Sequence, residues 1–192
     1  EYQLDEDAIK VVFQPVMDVR FNEIVGYEAL SRDAQDKVSI LELFGRYQAI
    51  GQLNELKRIC FKSQLKAASE LGLKRVFINV DFNFLSRLEV APKPPDMEVI
   101  LEISELEALH DIENHLKMAG KWRELGYKFA IDDFGAGYIS LPFIARLIPE
   151  YIKVDRSTIL QAVSSEKFRA FLRDLVLALQ NYVTVGIIAE GI

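Results

Sequence analysis

Polar and charged side chains recur within or directly after the short apolar segments of this chain. Most of them are carboxylates, and neither a histidine nor a cysteine lies among them. Carboxylate and amide oxygens are the ligands that Mg²⁺ and Mn²⁺ prefer. The pattern therefore predicts a site for one or two such cations. The residues are Glu28, Asn79, Glu102, Asp132, Asp133, Lys153, Asp155 and Glu190.

Glu102 makes the strongest case for a metal, because it stands inside the apolar segment Val99–Ile103. A strand of this kind is buried on both faces of a parallel sheet. A carboxylate buried there without a partner is costly, and a cation would supply the partner. For a single acid that follows a strand, a helix cap is the alternative. Asp155, which precedes Arg156 and Ser157, fits that alternative.

Two kinds of segment must position these side chains. Seven apolar runs of 3 to 7 residues, rich in Val, Ile and Phe, predict strands. Between most of them, apolar residues recur at spacings of three and four, which predicts amphipathic helices. The predicted strands are Val11–Val16, Ile24–Leu30, Val76–Val80, Val99–Ile103, Phe129–Ile131, Tyr151–Val154 and Val185–Ala189. The predicted helices are Leu41–Ile50, Leu53–Leu71, His110–Leu125 and Phe168–Leu179.

The connections between these segments predict an α/β fold. Only Asp18–Glu23 separates the first two strands, which is too short for a helical crossover, so we expect a hairpin there. The later β-α repeats predict a parallel sheet. In a barrel of parallel strands, the strand-end acids would meet at the carboxyl face, where such enzymes keep their sites. Seven strands fit either an open sheet or a barrel that lacks its last βα elements.

Composition excludes several classes of protein. The chain has 192 residues, of which 50% are hydrophobic, so it fits one globular domain and not a disordered tail. Its net charge of -6 argues against nonspecific binding to duplex nucleic acid, which needs a basic face. A single cysteine excludes a disulfide framework and favours a reducing compartment. No apolar segment reaches the roughly 20 residues of a membrane span.

Other residues with chemical potential have simpler interpretations. Cys60 and Trp122 fall within apolar patterns, and we expect both in the core. His110 and His115 lie five apart on one predicted helix, which is not zinc spacing, and we expect them at the surface. The triplet Asp133–Gly135 matches a kinase motif, but the chain has neither a glycine-rich loop before a strand lysine nor an H-R-D segment. A kinase is therefore excluded.

Seven short motifs follow one another in order along nearly the whole chain. They are Phe13-Gln14-Pro15, Tyr27-Glu28-Ala29-Leu30-Ser31-Arg32, Phe77-Ile78-Asn79-Val80, Glu102-Ile103-Ser104-Glu105, Asp132-Asp133-Phe134-Gly135-Ala136-Gly137-Tyr138, Ile152-Lys153-Val154-Asp155 and Ala189-Glu190-Gly191. Each motif is weak by itself. As an ordered set, they resemble the EAL domain, the cyclic-di-GMP phosphodiesterase of bacterial signalling.

This resemblance implies a TIM-like (β/α) barrel with an antiparallel first strand pair, in agreement with the predicted hairpin. The family ends on a further strand with a Q-G-Y segment, which is absent here, so we expect that the last βα elements are missing from the given chain. Residues 1–192 would form a single, C-terminally incomplete EAL-like domain of a larger signalling protein. The resemblance also implies a cytoplasmic homodimer, with membrane contact only through regions outside this chain.

The resemblance further implies that two Mg²⁺ or Mn²⁺ ions activate a water that hydrolyses cyclic-di-GMP to linear pGpG. Lys153 would position or deprotonate this water, and Glu28 and Asp132 would be catalytic with it. Gln14 and Arg32 would contact the substrate. The first ion would be held by Glu28, Asn79, Glu102 and Asp132, and the second by Asp132, Asp133 and Glu190.

The loop Asp133–Ser140 carries one departure from the family. Glu105 would brace this loop, which in the family couples dimerisation to metal binding. Ile139 stands where family members usually have serine, so a hydroxyl is lost from the loop.

Three functions are compatible with this sequence: an active phosphodiesterase, a non-catalytic cyclic-di-GMP receptor, and a structural interaction module. The intact acid set and Lys153 favour catalysis. A receptor would keep Arg32 and Gln14 but need not keep the metals, and Ile139 favours it. The buried carboxylates argue against a structural module, because without a metal they only cost stability.

Overall fold

The computed structural model describes residues 8–89, 93–104, 106, 111–137, 140–183 and 186–191. The chain divides into two compact units. The first consists of Glu1–Asn79 and Ser86–Val99, and the second consists of Val80–Leu85 and Ile100–Ile192. Each unit carries its own set of paired strands.

In the first unit, strands β1 (Ile9–Asp18) and β2 (Glu23–Asp33) form an antiparallel pair. Their register runs from Ile9 opposite Asp33 to Asp18 opposite Glu23. The predicted hairpin is therefore confirmed. Strand β3 (Arg75–Val80) then pairs with β2 in parallel, as a connection long enough for a helical crossover allows.

Two helices connect β2 to β3, and both were predicted to within two residues at each end. Helix α1 is Ile40–Ala49, and the Ser39 hydroxyl caps it by accepting a hydrogen bond from the backbone N–H of Glu42. Helix α2 is Leu53–Glu70. One hydrophobic cluster in the core of this unit consists of buried residues from β1 and α2, which are Ile9, Leu56, Ile59 and Cys60.

The core assignment of Cys60 is thus confirmed, and burial raises the pKa of its thiol. The short helix α3 (Phe82–Arg87) follows β3. It begins where the side chain of Asp81 accepts a hydrogen bond from the backbone N–H of Phe84. At six residues, α3 is too short to show a helical period in the sequence, and it was not predicted.

In the second unit, four strands pair in chain order and in parallel: β4 (Glu98–Ser104), β5 (Lys128–Phe134), β6 (Tyr151–Val154) and β7 (Gly186–Ala189). Their helices are α4 (Ile112–Glu124), α5 (Leu141–Leu147), α6 (Arg156–Ser164) and α7 (Glu166–Val183). The predicted β-α alternation is confirmed. Trp122 of α4 is completely buried, as predicted.

The histidine prediction was wrong where the structure can test it. His115 is half-buried on α4, and its ring stacks on Phe82 with 4.3 Å between the ring centroids. The sequence pattern missed this contact because Phe82 lies on a helix that was not predicted. His110 lies outside the described residues.

None of the described helices is both long enough and apolar enough to span a bilayer.

Candidate active site

Lys153 lies at the centre of an ionic cluster in the second unit. Its Nζ atom lies 2.8 Å from Glu102 Oε1, 3.1 Å from Asp132 Oδ1 and 2.8 Å from Glu190 Oε1. The Lys153 side chain is 2% exposed and that of Glu102 is 0% exposed. Strands β4, β5 and β6 and the residue after β7 therefore bring three carboxylates to one buried ammonium group.

The parallel pairing explains why residues so distant in sequence meet. Asp132 lies opposite Ser104, two residues beyond Glu102 on the neighbouring strand. The backbone N–H of Glu190 donates to the carbonyl of Val154 at 3.1 Å, which holds the residue after β7 beside the end of β6. The predicted convergence at the carboxyl ends of the strands is what parallel neighbours produce.

A bulge in β5 presents both adjacent aspartates to this cluster. Ile131 pairs with Ile152 and Phe134 pairs with Val154, so Asp132 and Asp133 together face the single residue Lys153. Such bulges change the direction in which side chains point, and they are common beside active sites. The sequence showed two consecutive acids but gave no sign of the bulge.

Asp133 adopts a left-handed backbone conformation at this bulge, with φ 55°. Aspartate tolerates that region better than most residues, because its short polar side chain can bond locally. Its backbone N–H donates to Asp132 Oδ1 at 3.0 Å. This bond fixes the orientation of one aspartate through the backbone of the other.

Three carboxylates in the second unit are close enough to share a cation. One oxygen each from Asp132, Asp133 and Glu190 lies within 4.8 Å of the other two. All of the donors are hard oxygens, which is the ligand type that Mg²⁺ and Mn²⁺ select. Three carboxylates, Glu102, Asp132 and Glu190, pair with the single ammonium group of Lys153, and this excess of negative charge also fits a divalent cation.

Two glycines complete the loops that follow the acids. Gly135 has φ 93°, and a Cβ there would lie 2.6 Å from Thr158 Oγ1. Gly191 has φ 67°, and a Cβ there would lie 2.3 Å from Cδ of Arg156. Each glycine lies one or two residues after a candidate metal ligand, and its positive φ is a conformation that favours glycine over residues with a Cβ.

In the first unit, Glu28 and Asn79 meet on neighbouring strands. The Asn79 amide donates to Glu28 Oε1 at 2.9 Å. Gln14 lies directly opposite Glu28 in the β1–β2 register, and its side chain is exposed. Arg32 is half-buried, and its Nη1 donates to the backbone carbonyl of Ser31 at 2.8 Å. These four predicted site residues thus lie on the three strands of the first unit.

Asp155 has the structural role that its position predicted. It is the N-cap of α6, and its carboxylate accepts a hydrogen bond from the backbone N–H of Ser157 at 2.8 Å. Hydrogen bonds from the side chain and backbone of Ser157 hold the pKa of Asp155 below its ordinary value. Glu105 and Ile139 lie outside the described residues, so the predicted bracing of the loop stays a prediction.

One buried polar residue near the site was not predicted from the sequence. Gln64 of α2 hydrogen-bonds to β2 between Glu28 and Arg32. The signal in the sequence was a polar residue four positions after Cys60, on a helix face that is otherwise apolar.

The sequence profile of the EAL domain matches residues 1–192. The chain belongs to the EAL domain family. It is similar to the cyclic di-GMP phosphodiesterase NbdA of Pseudomonas aeruginosa, with 25% identity over 206 residues that cover 98% of this chain and 26% of NbdA. It is also similar to the probable cyclic di-GMP phosphodiesterase PdeD of Escherichia coli, with 33% identity over 98 residues, or 51% of this chain and 18% of PdeD.

The fold of this EAL domain is similar to that of BlrP1 from Klebsiella pneumoniae, solved with manganese and cyclic-diGMP at pH 9.0. The TM-score is 0.83 at 23% identity, and the likeness covers 96% of this chain and 50% of BlrP1. It confirms the predicted fold class, an α/β TIM-like barrel domain that opens with an antiparallel strand pair. This chain spans well under two thirds of each of these three relatives.

Proposed function

We propose that this EAL domain hydrolyses cyclic-di-GMP to linear pGpG with the help of divalent cations. The observation that carries the proposal is the buried Lys153, which contacts three carboxylates, two of which also belong to the group of three that is close enough to share a cation. The name of NbdA, which matches nearly the whole of this chain, supports the substrate and the reaction. The manganese and cyclic-diGMP in the BlrP1 structure support the metal and the ligand.

The residues of the second unit fit a divalent cation. Asp132, Asp133 and Glu190 would hold one ion, and Glu102 extends the same set of oxygen ligands. Bound there, Mg²⁺ or Mn²⁺ would supply a more acidic water and would offset charge on the attacked phosphate. Following the family resemblance, we propose two ions and add Glu28 and Asn79 of the first unit to the ligands.

Lys153 would position the attacking water. Its ammonium group forms ion pairs with Glu102, Asp132 and Glu190, so it holds these three carboxylates close together. A side chain that keeps reacting groups in the right orientation increases the rate of the reaction. It can do so without binding the substrate itself. Loss of Lys153 should therefore reduce turnover more than binding.

Substrate recognition would fall to the first unit. The forked guanidinium of Arg32 suits bidentate contact with a phosphate. Its Nη1 atom now bonds to the chain's own carbonyl at Ser31, and that bond would be exchanged for one to the substrate. Gln14, exposed on β1, offers an amide to the same ligand.

A non-catalytic receptor for cyclic-di-GMP is the second candidate. Ile139 favours it, because this residue removes a hydroxyl from the loop that follows the two aspartates. A receptor would bind cyclic-di-GMP through Arg32 and Gln14 without turning it over.

We also propose the setting in which the domain works. It would be part of a longer signalling protein, because the chain covers 26% of NbdA. It would act as a homodimer in the cytoplasm, where nucleotide second messengers are made and degraded. Any membrane attachment would come from other regions of that protein.

The experiment that separates these functions compares wild type with Lys153→Ala. Turnover of cyclic-di-GMP is measured in Mn²⁺, and binding of cyclic-di-GMP is measured by calorimetry under the same buffer conditions in Ca²⁺. The proposal expects Lys153→Ala to lose turnover and to keep binding within about threefold. Equal loss of both would mean that Lys153 is only structural. Binding without turnover by the wild-type protein would establish the receptor.

A further inference from the structure

Gln64 is a buried polar residue on α2, with 6% of its surface exposed. A buried amide is costly unless it is hydrogen-bonded. Gln64 Nε2 donates to the backbone carbonyl of Ala29 at 3.0 Å and to the hydroxyl of Ser31 at 3.1 Å. Its donors are therefore used entirely on strand β2.

These hydrogen bonds lie at the point where the pairing of β2 with β3 ends. The parallel pairing of β2 with β3 covers Tyr27, Glu28 and Ala29. Beyond Ala29, the strand is paired on the β1 side, from Leu30 opposite Val12 to Asp33 opposite Ile9. At this point of the strand, the amide of Gln64 bonds to the backbone carbonyl of Ala29 and to the side-chain hydroxyl of Ser31.

The bonded residues alternate with the predicted site residues along the strand. Ala29 and Ser31 are buried, whereas Glu28, Leu30 and Arg32 are half-buried. Successive side chains of a strand point to opposite faces, and a slip of one residue would exchange the faces. Gln64 thus bonds to the residues of the buried face, Ala29 and Ser31, whereas Glu28 and Arg32 lie on the opposite face of the strand.

A second contact from α2 reinforces this arrangement. The thiol of Cys60, one turn before Gln64, shares a hydrogen bond with the side chain of Ser31. Both Cys60 and Ser31 are buried. The segment from Ala29 to Ser31 is thus held by two residues of one helix face.

We propose that Gln64 is a positioning residue, which fixes β2 so that Glu28 and Arg32 face the metal and the substrate together. The consequence for catalysis rests on the function proposed above. The physical claim, that the side chain of Gln64 holds this part of β2, does not depend on activity.

The test compares Gln64→Met with Ile59→Ala. Methionine keeps the length of the side chain and removes both hydrogen bonds. Ile59 lies on the same helix within the core cluster, so Ile59→Ala lowers stability without removing a bond to β2. Amide hydrogen exchange is measured first, in EDTA and without ligand. Exchange around residues 29–32 should rise about tenfold in Gln64→Met and stay local to that segment, unlike in Ile59→Ala.

The second readout is kinetic. In Gln64→Met, the KM for cyclic-di-GMP and the Mn²⁺ concentration needed for half-maximal activity should each rise about tenfold, with kcat within about threefold of wild type. In Ile59→Ala, assayed well below its Tm, both constants should stay at wild-type values. A loss of stability alone would not raise KM and the Mn²⁺ requirement in one variant and leave both unchanged in the other.

The outcomes distinguish this inference from the function it builds on. If wild type does not turn over cyclic-di-GMP, the proposed function fails, and the exchange data alone decide the role of Gln64. Exchange in Gln64→Met that matches Ile59→Ala would overturn the inference. So would loosened exchange in an active enzyme whose KM and Mn²⁺ requirement do not change, because Gln64 would then be structural only.

Discussion

Lys153 Nζ lies 2.8 Å from Glu102 Oε1, and the two side chains are 2% and 0% exposed. Each of these two buried charges is stabilised by the other. If one were removed, the other would be a buried, uncompensated ion. Asp132 and Glu190 lie at similar distances from the same nitrogen. The cluster is therefore built around one cation, and it has more carboxylates than that cation can neutralise.

Lys153→Met should strongly destabilise the metal-free protein. The change leaves the carboxylates of Glu102, Asp132 and Glu190 without their ammonium group, and breaking a buried pair in this way costs about 3–5 kcal/mol. Denaturant unfolding in EDTA measures the free energy of unfolding. The exposed Lys121 of α4 provides the control, since Lys121→Met should leave stability unchanged. Equal stability of Lys153→Met and wild type would contradict the proposed importance of the cluster.

Glu102→Leu should lower the Tm of the metal-free protein and weaken its response to Mn²⁺. Leucine removes a buried partner of Lys153 and one of the proposed metal ligands. Melting curves with EDTA and with Mn²⁺ measure both effects. As the control, Glu113→Gln removes an exposed acid that pairs with Arg146, and it should keep the wild-type Mn²⁺ response. A structural interaction module predicts the reverse, a raised Tm for Glu102→Leu.

Glu28→Ala should abolish hydrolysis in Mn²⁺, with a loss of roughly 100-fold or more. The carboxylate is a proposed metal ligand, and it also accepts the hydrogen bond from Asn79. Glu23 lies exposed at the start of the same strand, so Glu23→Ala should keep wild-type turnover. Steady-state rates at saturating cyclic-di-GMP test the comparison. Retained turnover in Glu28→Ala would remove the role assigned to Glu28.

Asp155 should contribute a pH-dependent part of the stability. Hydrogen bonds from Ser157 lower its pKa from the ordinary value of 3.8. The ionised carboxylate is therefore more stable in the folded protein than in the unfolded chain. The contribution is complete above the unfolded pKa, and it is lost as the pH falls through the lowered folded pKa. At neutral pH, Asp155→Ala should cost about 1 kcal/mol through loss of the helix cap.

Urea unfolding between pH 7 and pH 2.5 measures this pH dependence. The difference in stability between wild type and Asp155→Ala should shrink below about pH 4. Asp155→Asn keeps a capping side chain that does not titrate, so its stability at pH 7 should lie close to that of wild type. A difference that stays constant down to pH 2.5 would show that the carboxylate does not act through its charge.

The sequence was sufficient for the strands and for the place of the acids along them. The β1–β2 hairpin followed from a connection too short for a crossover, and the parallel strands followed from their helical connections. The burial of Glu102 followed from its apolar neighbours in β4. All of these features depend on local patterns, and such patterns persist in the folded chain.

The remaining features depend on contacts between distant residues. The bulge at Asp132 and Asp133 arises from the register of β5 against β6, which no local pattern specifies. The bonds of Gln64 to β2 likewise depend on how α2 packs against the strand. His115 was expected at the surface, but its ring stacks on Phe82. The sequence did not predict this contact because it joins two helices that are far apart in the chain.

The most direct test of the account is product formation from cyclic-di-GMP by the purified protein in Mn²⁺. Anion-exchange chromatography separates cyclic-di-GMP from linear pGpG. We expect linear pGpG in Mn²⁺, none after addition of EDTA, and recovery when excess Mn²⁺ is restored. Unchanged cyclic-di-GMP after prolonged incubation with folded protein in Mn²⁺ would contradict it.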